Sequence, residues 1–194
     1  MENFSTNAVV LVLSSTQYIG SDYIREYSDF LKCNIPKDNQ NNNNITRIKR
    51  QHISYSKSNT VFDCSLIALD INHRDKGNIT VVENQKTLPF DIKRIYYLYD
   101  IPGGETRGGH AHKDLKQLVI AASGSFDVIL DDGKLKRTVT LNQPHHCLHI
   151  VPGIWREIIN FSSGSICLVL ASELHNEEDY FRDYNDYITF KNEQ

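Results

Sequence analysis

Short runs of alternating or continuous apolar residues recur along the chain from Phe62 onward, with turn-forming residues between them. Many short runs at even spacing predict β-strands and are typical of an all-β sandwich or barrel. The predicted strands are 65–71, 78–82, 94–99, 117–121, 125–130, 136–141, 145–151 and 165–171. Asp131-Asp132-Gly133 predicts a hairpin turn, because glycine accepts the positive φ that tight turns demand.

The stretch from Glu177 to Phe190 places Tyr or Phe at positions 180, 181, 184 and 187 among acidic residues. Aromatic residues at this helical spacing predict a short amphipathic helix that closes the domain. We expect its aromatic side chains to pack against the barrel and not to form a ligand site.

The segment from Lys32 to Ser58 is polar, includes an Asn/Gln tract at 39–44, and has no sustained apolar period. Such composition is typical of a linker or mobile loop. We therefore predict three parts, with a short amino-terminal piece at 1–33, a linker at 34–61 and one barrel domain at 62–194.

The amino-terminal piece repeats the end of the barrel domain at a constant offset of 157 positions. Residues 3–31 align without a gap with residues 160–188, and 12 of the 29 aligned pairs are identical. Self-similarity of this kind is how tandem duplication shows itself. Residues 1–33 are thus interpreted as the terminal strand (9–13) and helix of a preceding copy whose barrel is absent, packed on the intact domain or on a second subunit. The alternative is a disordered leader.

Composition excludes several classes of protein. The formal net charge of −3 and pI of about 6.2 provide no basic face for a polyanion, so no nucleic-acid partner is expected. No apolar run approaches the roughly 18–20 residues of a membrane span, which predicts a cytoplasmic protein without a membrane partner. The four cysteines are scattered without a CxxC pair, so neither a zinc knuckle nor a disulfide framework is predicted.

The most informative motif is G-x5-H-x-H-x4-Q-x6-G, which runs from Gly104 to Gly124 and contains His110, His112 and Gln117. Residues two apart on a strand point to the same side, so the two histidines should face one interior. This skeleton resembles the first motif of the cupin superfamily, with Gln117 in the place of a glutamate. The segment 152–160 resembles the second cupin motif, with Arg156 where a metal-binding cupin has its third histidine.

These two departures argue against a metal. Glutamine is a weak neutral ligand, and arginine is a permanent cation that repels a divalent ion at ligand distance. We therefore expect no metal and no other cofactor, and imidazoles that titrate near neutrality and act as acid and base.

Within the cupins, the chain resembles the sugar 3,4-ketoisomerases of the FdtA and QdtA type (WxcM-like, RmlC-like cupins). The resemblance is carried by 89–100, 107–113, 131–133, 168–172 and 179–184, and it spans about 62–190. It implies a cupin (jelly-roll) β-barrel, a homodimer, and metal-free isomerisation of a dTDP-4-keto-6-deoxyhexose to the 3-keto isomer, in deoxy(amino)sugar synthesis for surface polysaccharide.

The candidate site residues follow from the motif and the resemblance. We expect catalysis by His110, His112 and Tyr97, with His112 as proton shuttle at carbon and His110 as donor to the oxygens, or the reverse. The predicted substrate-binding residues are Arg107, Tyr96, Gln117, Trp155 and Arg156. Trp155 could stack on the substrate or close the barrel, and a second histidine cluster, at 145, 146 and 149, is expected at the pocket edge or surface.

Two alternatives remain open at this point. A 3,5-epimerase of the related barrel family uses the same residue types at C3 and C5 of the sugar. A catalytically silent cupin would bind a sugar nucleotide or a partner without turning it over. The sequence alone leaves the nucleotide and the configuration at C4 of the product undetermined.

Overall fold

The computed structural model describes residues 8–16, 19–20, 23, 25–26, 56–84 and 86–192. The chain divides into two units, one made of 1–9 and 53–194 and the other of 10–52. The Asn/Gln tract and most of the predicted amino-terminal helix lie outside the described residues. None of the helices in the described ranges is both long and apolar enough to cross a bilayer.

Between residues 56 and 192 the chain forms antiparallel strands and one carboxy-terminal helix. They are β1 (Ser65–Ala68), β2 (Ile71–Arg74), β3 (Gly77–Thr80), β4 (Arg94–Leu98), β5 (Arg107–His112), β6 (Gln117–Ser123), β7 (Phe126–Asp131), β8 (Lys136–Leu141), β9 (His146–Ile150), β10 (Trp155–Ile159), β11 (Ile166–Ala171), β12 (Tyr180–Phe181) and α1 (Tyr184–Asn192). A 3₁₀ turn, Glu177–Asp179, precedes β12.

The strands form two five-stranded sheets and a separate ribbon. The first sheet has the order β1-β9-β6-β11-β4, the second has the order β12-β5-β10-β7-β8, and β2 pairs with β3 alone. The main core lies between the two sheets, because alternate residues of the strands are apolar and point inward. In β7, for example, Phe126, Val128 and Leu130 are all buried. This architecture matches the all-β sandwich or barrel predicted from the spacing of the apolar runs, and the jelly roll that the family resemblance implies.

The outer faces of both sheets are also covered. The segment 81–92 packs Val82, Leu88 and Phe90 into a cluster with residues of the first sheet. On the second sheet, α1 places Tyr187 against Trp155 in a separate cluster. The Tyr187 hydroxyl donates to two main-chain carbonyls of the barrel, at residues 131 (2.8 Å) and 153 (3.1 Å). These two bonds fix the helix to the barrel.

The eight predicted strands are confirmed, with 65–71 split between β1 and β2, and the predicted turn joins β7 to β8, where Gly133 has φ +88°. The predicted closing helix is wrong over its first half. The helix begins only at Tyr184, and the preceding residues form the 3₁₀ turn and β12. Asn176 caps that turn through its side chain, and the main chain of β12 pairs with β5, so main-chain hydrogen bonding overrides the helical spacing.

Residues 9–13, expected to be a strand, form none. Their counterpart in the repeat, β11, is held between β4 and β6 along its length. A strand needs such neighbours to satisfy its main-chain groups, and the amino-terminal piece does not include a copy of either.

Candidate active site

Strand β5 carries the two histidines of the sequence motif into the barrel. The ring centroids of His110 and His112 are 5.1 Å apart and their planes are nearly perpendicular, as expected for residues two apart on one strand. Gly108, on the same strand, has φ +94°, and a Cβ there would lie 2.9 Å from the carbonyl oxygen of Arg156. Only glycine allows β5 to approach β10 this closely.

Hydrogen bonds fix the tautomers of both imidazoles. His110 Nδ1 lies 2.8 Å from the Gly108 carbonyl oxygen, and His112 Nδ1 lies 2.8 Å from Asp179 Oδ2. A carbonyl and a carboxylate only accept, so in both neutral rings the hydrogen is on Nδ1 and the lone pair is on Nε2. His112 Nε2 is buried without a protein partner among the described residues. Both neutral rings therefore present an acceptor at Nε2, whereas one of the two histidines was expected to donate to the sugar oxygens.

Burial and neighbouring cations hold both histidines in the neutral form. Burial, and next the Arg156 guanidinium, lowers the pKa of His110 from 6.5 to about 3. The same two causes lower the pKa of His112, and Arg94 and Arg182 add to the effect. The expectation that these imidazoles titrate near neutrality is therefore wrong, and their Nε2 lone pairs are available at pH 7.

Arg156 is a buried cation, with 3 % of its surface exposed. It donates to the His110 carbonyl oxygen at 2.9 Å and to Gln117 Oε1 at 2.7 Å. Burial lowers the pKa of Arg156 to about 10, which still leaves it charged at pH 7. Both acceptors are neutral, and among the described residues no carboxylate pairs with this guanidinium. Such a charge favours an anion in the adjoining space.

A cavity of about 130 Å³ inside the barrel brings most of the predicted site residues together. Its polar lining residues are Tyr96, Arg107, His110, Gln117 and Arg156. Its apolar lining comes from Leu98, Val119, Ile158 and Val169, with Gly108. Arg107 is the exposed member of this group, and an exposed guanidinium is suited to binding phosphate bidentately.

The sequence analysis missed two residues beside the histidines, because Asp179 was not singled out and Tyr180 was assigned to packing against the barrel. Asp179 Oδ2 accepts from His112, and its Oδ1 accepts from the Asp114 N–H at 2.8 Å. The Tyr180 ring centroid lies 4.2 Å from that of His112 and 5.0 Å from that of His110. A signal for both was present, because each is identical in the amino-terminal repeat, as Asp22 and Tyr23.

Three predicted site residues are not among those that line the cavity, and one of them, His112, is buried beside His110 on β5. The other two are Tyr97 and Trp155. Tyr97 is 56 % exposed and its ring contacts Tyr99, because strand alternation directs Tyr96 inward and its neighbour outward. Trp155 is buried on the outer face of the second sheet, against Tyr187, and its Nε1 donates to Glu157. Trp155 therefore packs between this sheet and α1 and does not line the cavity.

The second histidine cluster also lies away from the cavity lining. The His145 and His146 rings contact each other at a tilt of 58°, with centroids 4.4 Å apart, and the His149 ring packs against Phe90 at 5.9 Å. Phe90 belongs to the cluster on the outer face of the first sheet, which places His149 on that face.

The donor set of the cavity does not resemble a metal site. Within the described residues no group of three or more His, Cys, Asp or Glu side chains is arranged to hold a metal ion. At the two remaining cupin ligand positions, Gln117 and Arg156 are hydrogen-bonded to each other. A divalent ion there would meet a guanidinium at bonding distance.

Comparison with known proteins gives a consistent set of relatives. The family model described as "FdtA: WxcM-like, C-terminal" matches residues 1–35 and 62–192. The TDP-4-oxo-6-deoxy-alpha-D-glucose-3,4-oxoisomerase of Aneurinibacillus thermoaerophilus is 43 % identical over 112 residues, 58 % of this chain and 81 % of that protein.

Among solved structures, a 3,4-ketoisomerase from Helicobacter canadensis is 41 % identical with a TM-score of 0.66, over 68 % of this chain and 98 % of that one. The sugar 3,4-ketoisomerase QdtA from Thermoanaerobacterium thermosaccharolyticum, in complex with TDP, is 38 % identical with a TM-score of 0.66, over 67 % of this chain and 95 % of that one. The dTDP-4-dehydrorhamnose 3,5-epimerase of Bacillus anthracis is 18 % identical with a TM-score of 0.56, over 63 % of this chain and 79 % of that one. This last likeness shows the fold alone.

Proposed function

Because the chain belongs to the FdtA family of WxcM-like C-terminal domains, we propose that it is a dTDP-4-keto-6-deoxyglucose 3,4-ketoisomerase. It moves the carbonyl of the sugar from C4 to C3 through an enediolate. The observation that carries this assignment is a pair of adjacent neutral imidazoles, of which His110 lines the same cavity as the buried Arg156 cation. The named oxoisomerase relative at 43 % identity supports the substrate class.

The reaction is an internal redox exchange that needs no external oxidant. A base removes the proton on C3, the electron pair forms the C3–C4 double bond of the enediolate, and a proton is returned to C4. The C4 oxygen takes the negative charge as the enediolate forms. It becomes the C4 hydroxyl by taking up the proton that the C3 hydroxyl loses as its own oxygen becomes the new carbonyl. Each of these transfers needs an acceptor with a free lone pair near pH 7.

We propose that His112 removes the proton from C3 and returns a proton to C4. Its Nδ1–H is held by Asp179, so its Nε2 is the basic atom, and the carboxylate stabilises the imidazolium that forms. His110, with Nε2 also free, takes up and returns the hydroxyl proton. Arg156 provides the positive charge that favours the enediolate over the neutral ketone.

The test is incubation of the purified chain with dTDP-4-keto-6-deoxyglucose in deuterated water with a chelator present, followed by NMR. We expect a product with its carbonyl at C3 and deuterium at C4. The matched variant His112→Asn should abolish both the product and the exchange at C3.

Three other results would contradict the proposal. Deuterium at C5 with the carbonyl still at C4 would identify a 3,5-epimerase. Binding without exchange in the unaltered chain would identify a silent cupin. Loss of activity in the chelator, restored by a divalent metal, would overturn the metal-free mechanism.

We also propose that the protein is a homodimer. Strand β4 is an open sheet edge with Tyr97 more than half exposed, and the β2–β3 ribbon exposes Ile71 and Ile79. Open edges and grouped apolar side chains are usually covered by a partner. Light scattering of the full chain should give twice the 22.3 kDa chain mass. Ile79→Lys should shift that mass toward the monomer, and a monomeric unaltered chain would contradict the proposal.

The amino-terminal piece, residues 1–33, remains assigned to a preceding cupin copy, with 34–61 as linker. The family match supports this organisation, because it includes residues 1–35 and omits 36–61. A cytoplasmic location is likewise proposed, in keeping with a substrate carried on a nucleotide, and cell fractionation tests it.

A further inference from the structure

Three side chains of the cavity form a chain of hydrogen bonds that runs from a charge to a phenol. Arg156 Nη2 donates to Gln117 Oε1 at 2.7 Å, and Gln117 Nε2 donates to the Tyr96 hydroxyl oxygen at 2.8 Å. All three residues line the cavity that holds His110. Gln117 and Arg156 are 2 % and 3 % exposed, so solvent does not compete for these bonds.

We call this chain of hydrogen bonds, from Arg156 through Gln117 to Tyr96, the relay. The chemistry of the three groups determines which of them donates and which accepts. A guanidinium has only donors, so it must face the amide oxygen of Gln117. The amide NH₂ must then face Tyr96, and the phenol oxygen must accept. The single hydrogen of the phenol is left over, and among the described residues no protein acceptor takes it. Tyr96 is thus prepared to donate to whatever lies in the cavity.

We infer that Tyr96 is the residue that donates a hydrogen bond to the sugar oxygen on which negative charge develops, and that Gln117 is a positioning residue that fixes this direction. The inference rests on the proposed isomerase function and adds the donor that the mechanism lacks. Both imidazoles present acceptors in their neutral form, so neither can donate to the oxyanion before it has taken a proton. Tyr96 fills that role, and the charge of Arg156 polarises the relay toward it.

The relay also explains why glutamine, not glutamate, suits position 117. A carboxylate has only acceptors, so it would take the hydrogen bonds of Arg156 and of the Tyr96 hydroxyl together. The phenol hydrogen would then point away from the substrate. The neutral amide is an acceptor at one end and a donor at the other, which is the property the relay needs.

The experiment compares kcat and KM for Gln117→Glu, Tyr96→Phe and the double variant, with Tyr99→Phe as the control. Tyr99 has the same side chain but is 57 % exposed and lies outside the cavity. Loss of one oxyanion donor lowers kcat by about 10²-fold. We expect Tyr96→Phe to show this loss with KM within about threefold, and Gln117→Glu to show a similar loss. The double variant should be no more than about threefold worse than either single variant, because both changes remove the same hydrogen bond.

Several results would overturn the inference. One is Tyr96→Phe with kcat near that of the unaltered chain while the latter is active. Another is a double variant whose loss is the product of the two single losses, since Gln117 would then act through another group. If Gln117→Glu does not fold, Gln117→Met takes its place in the cycle, and the same non-additivity is required. An unaltered chain with no isomerase activity would refute the proposed function itself, a result distinct from these.

Discussion

At the residue scale, the state of the two histidines decides the chemistry. Both keep the hydrogen on Nδ1 because an acceptor is fixed there, and both stay neutral because of burial and Arg156. The resulting pair of Nε2 lone pairs is a base and a proton carrier, not an acid and a base. The hydrogen bond to the developing oxyanion must therefore come from another side chain. Tyr96 can donate it, and the buried Arg156 cation stabilises the same charge.

The lowered pKa of His110 predicts a pH-dependent stability. Its pKa falls from 6.5 to about 3 on folding, so between these values the unfolded chain binds a proton that the folded chain does not. The free energy of unfolding therefore has its full value above pH 6.5. It falls as the pH drops toward 3, because protonation of His110 favours the unfolded chain. Between pH 7.5 and 5.0 we expect His110 to account for a loss of about 2 kcal/mol in the free energy of unfolding, measured in urea.

The control for this prediction is the exposed His73. The variant His110→Asn should show a smaller difference between pH 7.5 and 5.0 than the unaltered chain does, whereas His73→Asn should show the same difference. An equal pH dependence in all three proteins would mean that His110 is not held neutral by the fold.

Substitution of Asp179 should lower the activity by changing the tautomer of His112. An asparagine there can turn its NH₂ toward Nδ1, which would move the imidazole hydrogen to Nε2 and remove the base. We expect Asp179→Asn to lower kcat on the order of 10²- to 10³-fold with little change in KM. Asp186→Asn, an exposed change on α1, should leave steady-state kinetics unaltered. A fully active Asp179→Asn enzyme would exclude His112 as the carbon base.

At the element scale, the short β12 strand brings distant parts of the chain into the site. Its pairing with β5 puts Tyr180 opposite His112, and the 3₁₀ turn before it aligns Asp179. Helix α1 follows directly and holds this segment through Tyr187. The elements with the least regular structure in the barrel domain thus carry two of its site residues.

The stability of the barrel domain should depend on the hydroxyl group of Tyr187, which anchors α1 to the barrel. Tyr187→Phe removes an O–H that donates to the carbonyls of Asp131 and Gly153. Because both carbonyls are left without this buried donor, we expect a loss of about 1–2 kcal/mol in the free energy of unfolding. Urea denaturation measures it, with the exposed Tyr99→Phe as the reference. An unchanged stability would show that the aromatic packing of α1 is sufficient.

How far the fold and the site could be predicted from sequence depends on whether neighbouring residues alternate between apolar and polar side chains. The barrel strands alternate clearly, and the HxH spacing alone places both histidines on one side. Strand β4 has no such contrast, since Ile95, Tyr96, Tyr97 and Leu98 are apolar or aromatic in succession, so the inward residue could not be chosen. Asp179 and His112 are 67 positions apart, and no local pattern predicts that contact.

At the scale of the whole molecule, the described site is contained in the barrel unit. Every strand, both sheets and all side chains of the cavity lie within residues 56–192 of the described chain. The segment just before the barrel takes part as well, since Lys191 donates to the Asn59 carbonyl at 2.6 Å. A chain that begins at Ile53 therefore keeps all of these contacts.

We predict that removal of residues 1–52 leaves isomerase activity and urea stability close to those of the full chain. The deleted part includes Val9–Leu13, whose side chains are about half exposed or more, so the shortened protein should also associate less at high concentration. Side-by-side kinetics, urea unfolding and light scattering test this. If the shortened chain loses its fold or more than about tenfold of kcat/KM, the repeated segment is a working part of the enzyme. Asp22 and Tyr23, which match the site pair Asp179 and Tyr180, would then be the first residues to substitute.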